Sequence, residues 1–593
     1  MSVSTNIALE ELAQHPQWLR LLHYDTGRRQ GAFLSKHFYL SSQGKNDPAA
    51  ELRSTLHAIE IPVTDESHPR CRYPARYNWL ARKLHQPAWQ TIPKACKRLR
   101  RWLSENPVHS ISLLLVSGYL GNPASMFGHA LLKLNTTGDE RDLFDTTINY
   151  GALVPPKEPV LTYIFKGLFG GYQAGYSDRY FYVQDIVYTN TEARDIWEYE
   201  LNLDPEQRRL LQLHIWEIIG KKKRYFFLTR NCAYELGKVM DVIMDPPLSQ
   251  TAYLWYTPTE LFDRIHDINR SFRENGRPPL IKRIRFHPSA ERRLIHHYEN
   301  LNEKLKIKAG KFLNQPDIKQ VDISLSGLSL DEKQALLDFL FSYQHFIFTK
   351  EQPQPSAQTL SLKKALLIER LSLPPSQPPG EKVAYIPSPS EEQKSSIIGV
   401  GVNTRKGHNP APSMNLIAFA QEPTGRNTLD GGELTVLDLR LNLSPDMPTI
   451  DRVDYLRISH HALSNLPIAS PWSWKVRLRS SFMETSGKYD HQLYFGAGRS
   501  KKMGQSLLYG MLTTSLHTLS PTARIRPEAG IVIPLHRNLR IQLKAGMENH
   551  ADKEWITTTA GTFQYNPSRT HSLQLEYHNE VVPSWQLMLR THW

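Results

Sequence analysis

The spacing of apolar positions changes character three times along the chain. Residues 1 to about 105 carry helix formers and basic side chains, ending in PKACKRLRRWL, where Lys94, Lys97, Arg98, Arg100 and Arg101 crowd one helix. That run is read as a solvated face, with a headgroup-binding patch as the sharper alternative. From about 108 to 245 short β-like runs alternate with helices, as in ISLLLVSGYL, GHALLKLN and DTTINYGAL. Residues 192–220 read as a helix hairpin, EARDIWEYELNL followed by DPEQRRLLQLHIWEIIG, with Asp204 as N-cap and Pro205 as first helical residue.

The last two hundred or so residues contain about a dozen runs of roughly ten residues with strand-like composition, parted by Gly, Pro, Asn, Asp and Ser. In WKVRLRSSF the apolar Trp474, Val476, Leu478 and Phe482 oppose Lys475, Arg477 and Arg479; in LRIQLKAGM, Leu539, Ile541, Leu543, Ala545 and Met547 oppose Arg540, Gln542 and Lys544. ELTVLDLRLNL alternates poorly. Strands with one apolar and one polar face, ending on the aromatic Trp593, meet the needs of a small outer-membrane barrel, which leaves no unpaired backbone edge in hydrocarbon. A soluble β-sandwich or lipocalin-like barrel alternates in the same way and is the competing expectation.

The predicted organisation is therefore a helical N-terminal domain (1–105), a mixed domain (106–285), a helical extension (286–350), a Pro-rich linker (351–394) and an antiparallel β-barrel (395–593). The class is α+β. Composition adds the environment. The formal charge of +14 favours anionic partners such as lipid headgroups, without choosing among them. No apolar run of about 18 residues is present, so no transmembrane helix is expected. The opening MSVSTNIALEELAQHPQWL has acidic residues where a signal core belongs and, taken literally, reads cytoplasmic.

Three cysteines occur, Cys71, Cys96 and Cys232. The first two lie near each other and would pair in an oxidising compartment; three reduced thiols is the plainer alternative. No short ligand spacing points to zinc, and the adjacent His296 and His297 point about 100° apart on a helix, so no metal or cofactor is expected. In RNCAYELGKVMDVIMD, Leu236, Val239, Met240 and Ile243 mark one buried helical face and put Cys232 in the first turn. There the helix dipole and free N–H groups stabilise a thiolate. In NPASMFGHALLKLN, His129 opens a strand and shares a face with Leu131, Lys133 and Asn135. A thiol nucleophile needs such a base. Ser125 lacks the elbow of a serine hydrolase. The run GLFGGYQAGY has no phosphate-loop ending and reads as a flap over an apolar substrate or as a plain turn.

The motifs NPASMFGHALLKL, TINYGAL, YIFKGLFGGYQAGY, RDIWEYELNL and FFLTRNCAYEL occur in the order seen in the lipoprotein N-acyltransferase-like (Lnb-type) periplasmic domain family, and this chain resembles it over about residues 108–245. CRYPARYNWL and the C-terminal segment resemble domains that accompany it in Gram-negative members. The resemblance implies a permuted papain/NlpC-like thiol fold in which His precedes Cys, with His129 and Cys232 as catalytic pair. Asn149, Tyr150 and Asp145 are the candidates for a third polar group. Ser125, Phe127, Phe169, Tyr172, Tyr176 and Asn231 are candidates for substrate contact. It further implies an envelope enzyme at the periplasmic face of the outer membrane, forming an acyl-enzyme at Cys232 from a lipid or lipoprotein. A cysteine amidase or peptidase on peptidoglycan, and a non-enzymatic outer-membrane scaffold, are the rival readings. Nucleic acid is not an expected partner, since the basic runs carry no recognition motif.

Overall fold

The computed structural model describes residues 9–25, 30–118, 126–136, 139–250, 255–351, 354–374, 386–443, 450–464, 466–467, 470–483, 486–519, 522–549, 555–579 and 582–593. The chain divides into two compact units: residues 1–297 with 328–385, and residues 298–327 with 386–593.

The first unit is built on a seven-stranded antiparallel sheet. Its strands are β1 (Ser110–Val116), β2 (His129–Asn135), β3 (Thr146–Ala152), β4 (Tyr172–Tyr180), β5 (Ile196–Leu201), β6 (Lys222–Tyr225) and β7 (Ile281–His287). They lie side by side in the order β6-β4-β3-β2-β1-β5-β7. Strands β1, β2 and β5 are buried along nearly their whole length, and β1 reads accordingly as a continuous apolar run.

Strand β5 overturns the expected helix hairpin. Its Ile196, Trp197, Tyr199 and Leu201 suit a pleated surface, and its two glutamates are neutralised from neighbouring strands. Glu198 meets Arg285 (2.6 Å), His287 (2.9 Å) and Lys133 (3.3 Å), while Glu200 meets Lys282 (2.8 Å) and Arg283 (2.9 Å). Cross-strand pairing makes both carboxylates interior strand positions. The second half of the hairpin forms as expected, with a capping box between Asp204 and Gln207 and Pro205 in the first turn.

Around the sheet pack helices α1 (Pro48–Glu60), α2 (Pro74–Lys83), α3 (Lys97–Glu105), α4 (Val160–Phe169), α5 (Pro205–Ile218), α6 (Cys232–Met240) and α7 (Pro258–Glu274). Arg76 on α2 is fully buried and ties α1 to α5 by ion pairs to Glu51 (2.6 Å) and Glu217 (3.8 Å). Cys71 and Cys96 form a disulfide across 25 residues, packed against Leu99. Closing a loop of that size in the unfolded chain is worth about 3 kcal/mol. The double variant C71A/C96A is therefore expected to lose about that much stability, read as a lower urea midpoint by tryptophan fluorescence.

The run GLFGGYQAGY holds the tight turn between α4 and β4. Gly170 ends α4 in the left-handed conformation (φ 76°), and the rest is β4, where Tyr172 and Tyr176 are interior residues.

The second unit carries a closed antiparallel barrel of twelve strands. These are β8 (Ile397–Arg405), β9 (Ala411–Gln421), β10 (Gly432–Asn442), β11 (Ile450–His460), β12 (Ser473–Met483), β13 (Lys488–Met503), β14 (Ser506–His517), β15 (Ala523–His536), β16 (Leu539–Asn549), β17 (Trp555–Tyr565), β18 (His571–Asn579) and β19 (Ser584–His592). Closure between β8 and β19 leaves no sheet edge. Val400, Leu512, Leu543, Trp585, Leu587 and Leu589 are exposed on the outside, whereas Lys475, Arg477, Arg479, Gln542 and Lys544 line the lumen. That distribution excludes a soluble sandwich and suits hydrocarbon outside. The poor alternation of β10 has a local cause. Leu437 adopts a left-handed backbone (φ 53°) that re-phases the strand, so Glu433 and Thr435 face inward before it and Asp438 and Arg440 after it.

Candidate active site

The start of α6 is held by Asn231. Its side-chain oxygen accepts from the N–H groups of Ala233 (3.1 Å) and Tyr234 (3.2 Å), and its amide donates to the carbonyls of Phe227 (3.1 Å) and Tyr256 (2.5 Å). These bonds commit Asn231 to positioning the helix rather than to substrate, correcting the sequence expectation. Cys232 is the next residue, 7% exposed, with Leu236, Val239 and Met240 buried behind it.

His129 is delivered by Gly128, whose φ of 95° and approach to the Val116 carbonyl leave no room for a side chain: a Cβ there would lie 2.8 Å from that oxygen. The imidazole Nε2 lies 2.9 Å from Asn149 Oδ1 on β3. An amide oxygen accepts, so Nε2 carries the proton and Nδ1 is left for the thiol. Burial alone would push Cys232 up and His129 down. Their mutual charge and hydrogen bond outweigh it, helped at the sulfur by the N–H groups of Ala130 and Ala233, so the thiol is held below its ordinary value and the imidazole above its own. Both shifts favour a thiolate-imidazolium pair.

Of the three candidates for the third group, Asn149 meets His129. Tyr150 is fully buried, its ring 4.9 Å from that of Tyr176, and its hydroxyl has no partner among the described residues. Burial, then Glu235, raises its pKa well above the ordinary phenol value, so it stays a donor. Asp145 points elsewhere. Its carboxylate engages Thr136 (2.7 Å) and Lys133 (3.3 Å), correcting its candidacy. Ser125 lies outside the described residues. Phe127 is half-buried, its ring 6.0 Å from that of Phe227. Phe169 is 72% exposed, beside Phe165. Tyr172 and Tyr176 are interior, and the Tyr176 hydroxyl donates to Glu235 (2.9 Å).

Sequence reasoning missed the support behind α6. Glu235, one turn after Cys232, pairs with Lys223 on β6, and Lys223 Nζ meets His23 Nδ1 (2.7 Å); His23 Nε2 meets His214 (2.9 Å) on α5. Burial pulls Lys223 down to about 8 against the attraction of Glu235. The signal available was alternation in KKKRY, where Lys223 takes the buried phase with Tyr225.

Residues 98–267 match the Lnb N-terminal periplasmic domain. Residues 10–83 and 425–592 match two domains of unknown function, DUF7843 and DUF7840. No curated protein matches the chain. Among solved structures, the chain is similar to the KdgM porin in complex with disordered oligogalacturonate (7% identity, 33% of this chain and 99% of that one, TM-score 0.23). It is also similar to the NanC porin (8% identity, 33% and 99%, TM-score 0.24) and to outer membrane protein Omp33 of Acinetobacter baumannii (9% identity, 34% and 99%, TM-score 0.21). A segment that matches the Lnb N-terminal periplasmic domain, in one chain with a closed barrel of apolar exterior, fits the periplasmic face of the outer membrane in a Gram-negative envelope.

Proposed function

We propose that the Lnb-type domain is a permuted papain/NlpC-like thiol acyltransferase that takes an acyl group from a lipid or lipoprotein ester onto Cys232. The observation that carries this reading is the Cys232-His129-Asn149 relay at a helix N-terminus. The thiolate attacks the ester carbonyl. The oxyanion is met by backbone N–H at the start of α6 and by the Tyr150 hydroxyl, which has no partner among the described residues. The C–O bond breaks, the leaving alkoxide takes the proton from His129, and a thioester remains. An amine or water then attacks, His129 accepts its proton, and the thiolate departs.

An apolar rim favours a lipid over a peptide. Leu153, Phe165, Phe169 and Leu228 are all exposed, and Phe227 N–H donates to the Gly167 carbonyl (2.8 Å), joining α4 to the turn that precedes Cys232. Exposed apolar patches of this kind mark membrane or ligand contacts. The double variant F165S/F169S is expected to acylate from vesicle lipid about tenfold more slowly, the equivalent of roughly 1.4 kcal/mol of lost apolar contact, while alkylation of Cys232 by a soluble reagent stays unchanged.

The deciding experiment is intact-mass analysis of the full chain after incubation with diacyl phospholipid or diacylated lipopeptide in mixed micelles. The expected result is a mass increase of one acyl chain on the peptide bearing Cys232, reversed by hydroxylamine. Cleavage of muropeptides without acylation would favour the amidase. Inertness toward both, with Cys232→Ala retaining the biological role, would favour the scaffold.

A further inference from the structure

The barrel lumen encloses a cavity of about 390 Å³ whose walls are unevenly charged. On β11 and β12, Asp454 is shared by three arginines: Arg477 (2.6 Å), Arg479 (2.9 Å) and Arg452 (3.5 Å). On β15 and β16, Glu548 is shared by Arg524 (2.9 Å) and Arg526 (2.7 Å). The register makes these one belt. Asp454 is opposite Arg479, Arg479 opposite Gln492, Gln492 opposite His517, and Ser515 opposite Arg524. Asp454 and Glu548 thus each hold more than one guanidinium group, and Asp438 lies directly opposite Asp454. Asp490, which lies behind the belt, is taken up by His517 (2.7 Å) and by the N–H groups of Thr518 (3.1 Å) and Leu519 (3.0 Å). The facing wall presents the neutral Thr558, Thr562, Gln574 and Gln586, and its Glu576 is taken up by Arg440 (2.6 Å).

Arg452 is the clearest member. Its Nε lies 3.5 Å from the Asp454 carboxylate and makes no hydrogen bond among the described residues. Guanidinium groups crowded along one wall repel one another, and an anion bound between them relieves that repulsion. Arg477 and Arg479 each hold Asp454 with two nitrogens, which leaves Arg452 as the more weakly engaged fork beside them, and a guanidinium fork suits a phosphate oxyanion.

We propose that this belt is a binding site for phosphate-bearing ligands, either a phosphorylated lipid headgroup or a free phosphate compound. The site is independent of the thiol chemistry assigned to the other unit. The test is calorimetry on the detergent-solubilised full chain at 0.15 M salt with three probes: pyrophosphate, dihexanoyl phosphatidic acid and citrate. Pyrophosphate is expected to bind with a Kd of about 100 µM or below, and citrate at least tenfold more weakly. Tighter binding of the short-chain lipid than of pyrophosphate assigns the site to a headgroup; equal or weaker binding assigns it to free phosphates. Arg452→Gln, which gives up one long ion pair, is expected to weaken pyrophosphate binding at least tenfold. Asp451→Asn, which removes a carboxylate lining the same cavity, is expected to tighten it about threefold by lowering repulsion. Absence of pyrophosphate binding at 1 mM, citrate binding as tight as pyrophosphate, or an Arg452→Gln protein with a folded barrel and unchanged affinity would each overturn the proposal.

Discussion

Replacing His129 with alanine is expected to slow acylation of Cys232 roughly a thousandfold in single-turnover mass analysis, the scale of removing a general base from a thiol or hydroxyl nucleophile. Two losses combine. The thiol no longer has the imidazole charge and hydrogen bond that hold it low, so burial governs it and pushes it up. The leaving alkoxide also loses its proton donor. Asn149→Ala is expected to cost less, about tenfold, because the ring remains but its tautomer and orientation are no longer set by the 2.9 Å bond to Nε2. Equal losses for the two variants would mean that Asn149 does more than orient the ring.

Glu198→Gln is expected to destabilise the first unit by about 3 kcal/mol, the lower end of the cost of breaking a buried ion network. Glu198 is fully buried on β5, between β1 and β7, and accepts from Ser112 (2.8 Å), Arg285 (2.6 Å) and His287 (2.9 Å) besides Lys133. The amide would take the charge away from Arg285, while Asp145 keeps Lys133 partly paired, which places the estimate at the lower end. The sign of the pH dependence follows. Burial would raise the Glu198 carboxyl, but the hydrogen bond from His287 and the charges of Lys133, His287 and Arg285 outweigh it and hold it far below the usual carboxylate range. A depressed carboxylate contributes stability that is fully present above the unfolded value of about 4.5 and is lost as pH falls. Melting temperature measured from pH 7 down to 3 should therefore fall less steeply in the variant than in the parent chain.

The barrel was legible because each strand repeats a two-residue alternation that a lipid-facing wall enforces, as in Trp474 to Phe482. It was illegible at Leu437, where a single left-handed residue shifts the phase. Cys232 and His129 were legible for different reasons. A cysteine following Asn at the start of an apolar helix is a local signal, whereas His129 gained meaning only from its order in the chain and from the preceding glycine. Strand β5 was misread because its glutamates are neutralised by residues up to 89 positions away, and no window of sequence contains that information. The same holds for Asp145, whose partner Lys133 belongs to the adjacent strand, and for the support behind α6, which joins His23 to Lys223 and Glu235 across the whole domain.

The central claim is that Cys232 and His129 form a working thiolate-imidazolium pair, and the most direct test is the pH dependence of Cys232 alkylation in the intact chain and in His129→Ala. The depressed thiol predicts that the rate in the intact chain reaches its plateau well below pH 9, with substantial labelling at pH 6 to 7. In His129→Ala the rising limb should move to pH 9 or above and labelling at neutral pH should collapse. Slow labelling at neutral pH in both proteins, with the same limb near pH 9, would contradict the pair and with it the enzymatic reading of the domain.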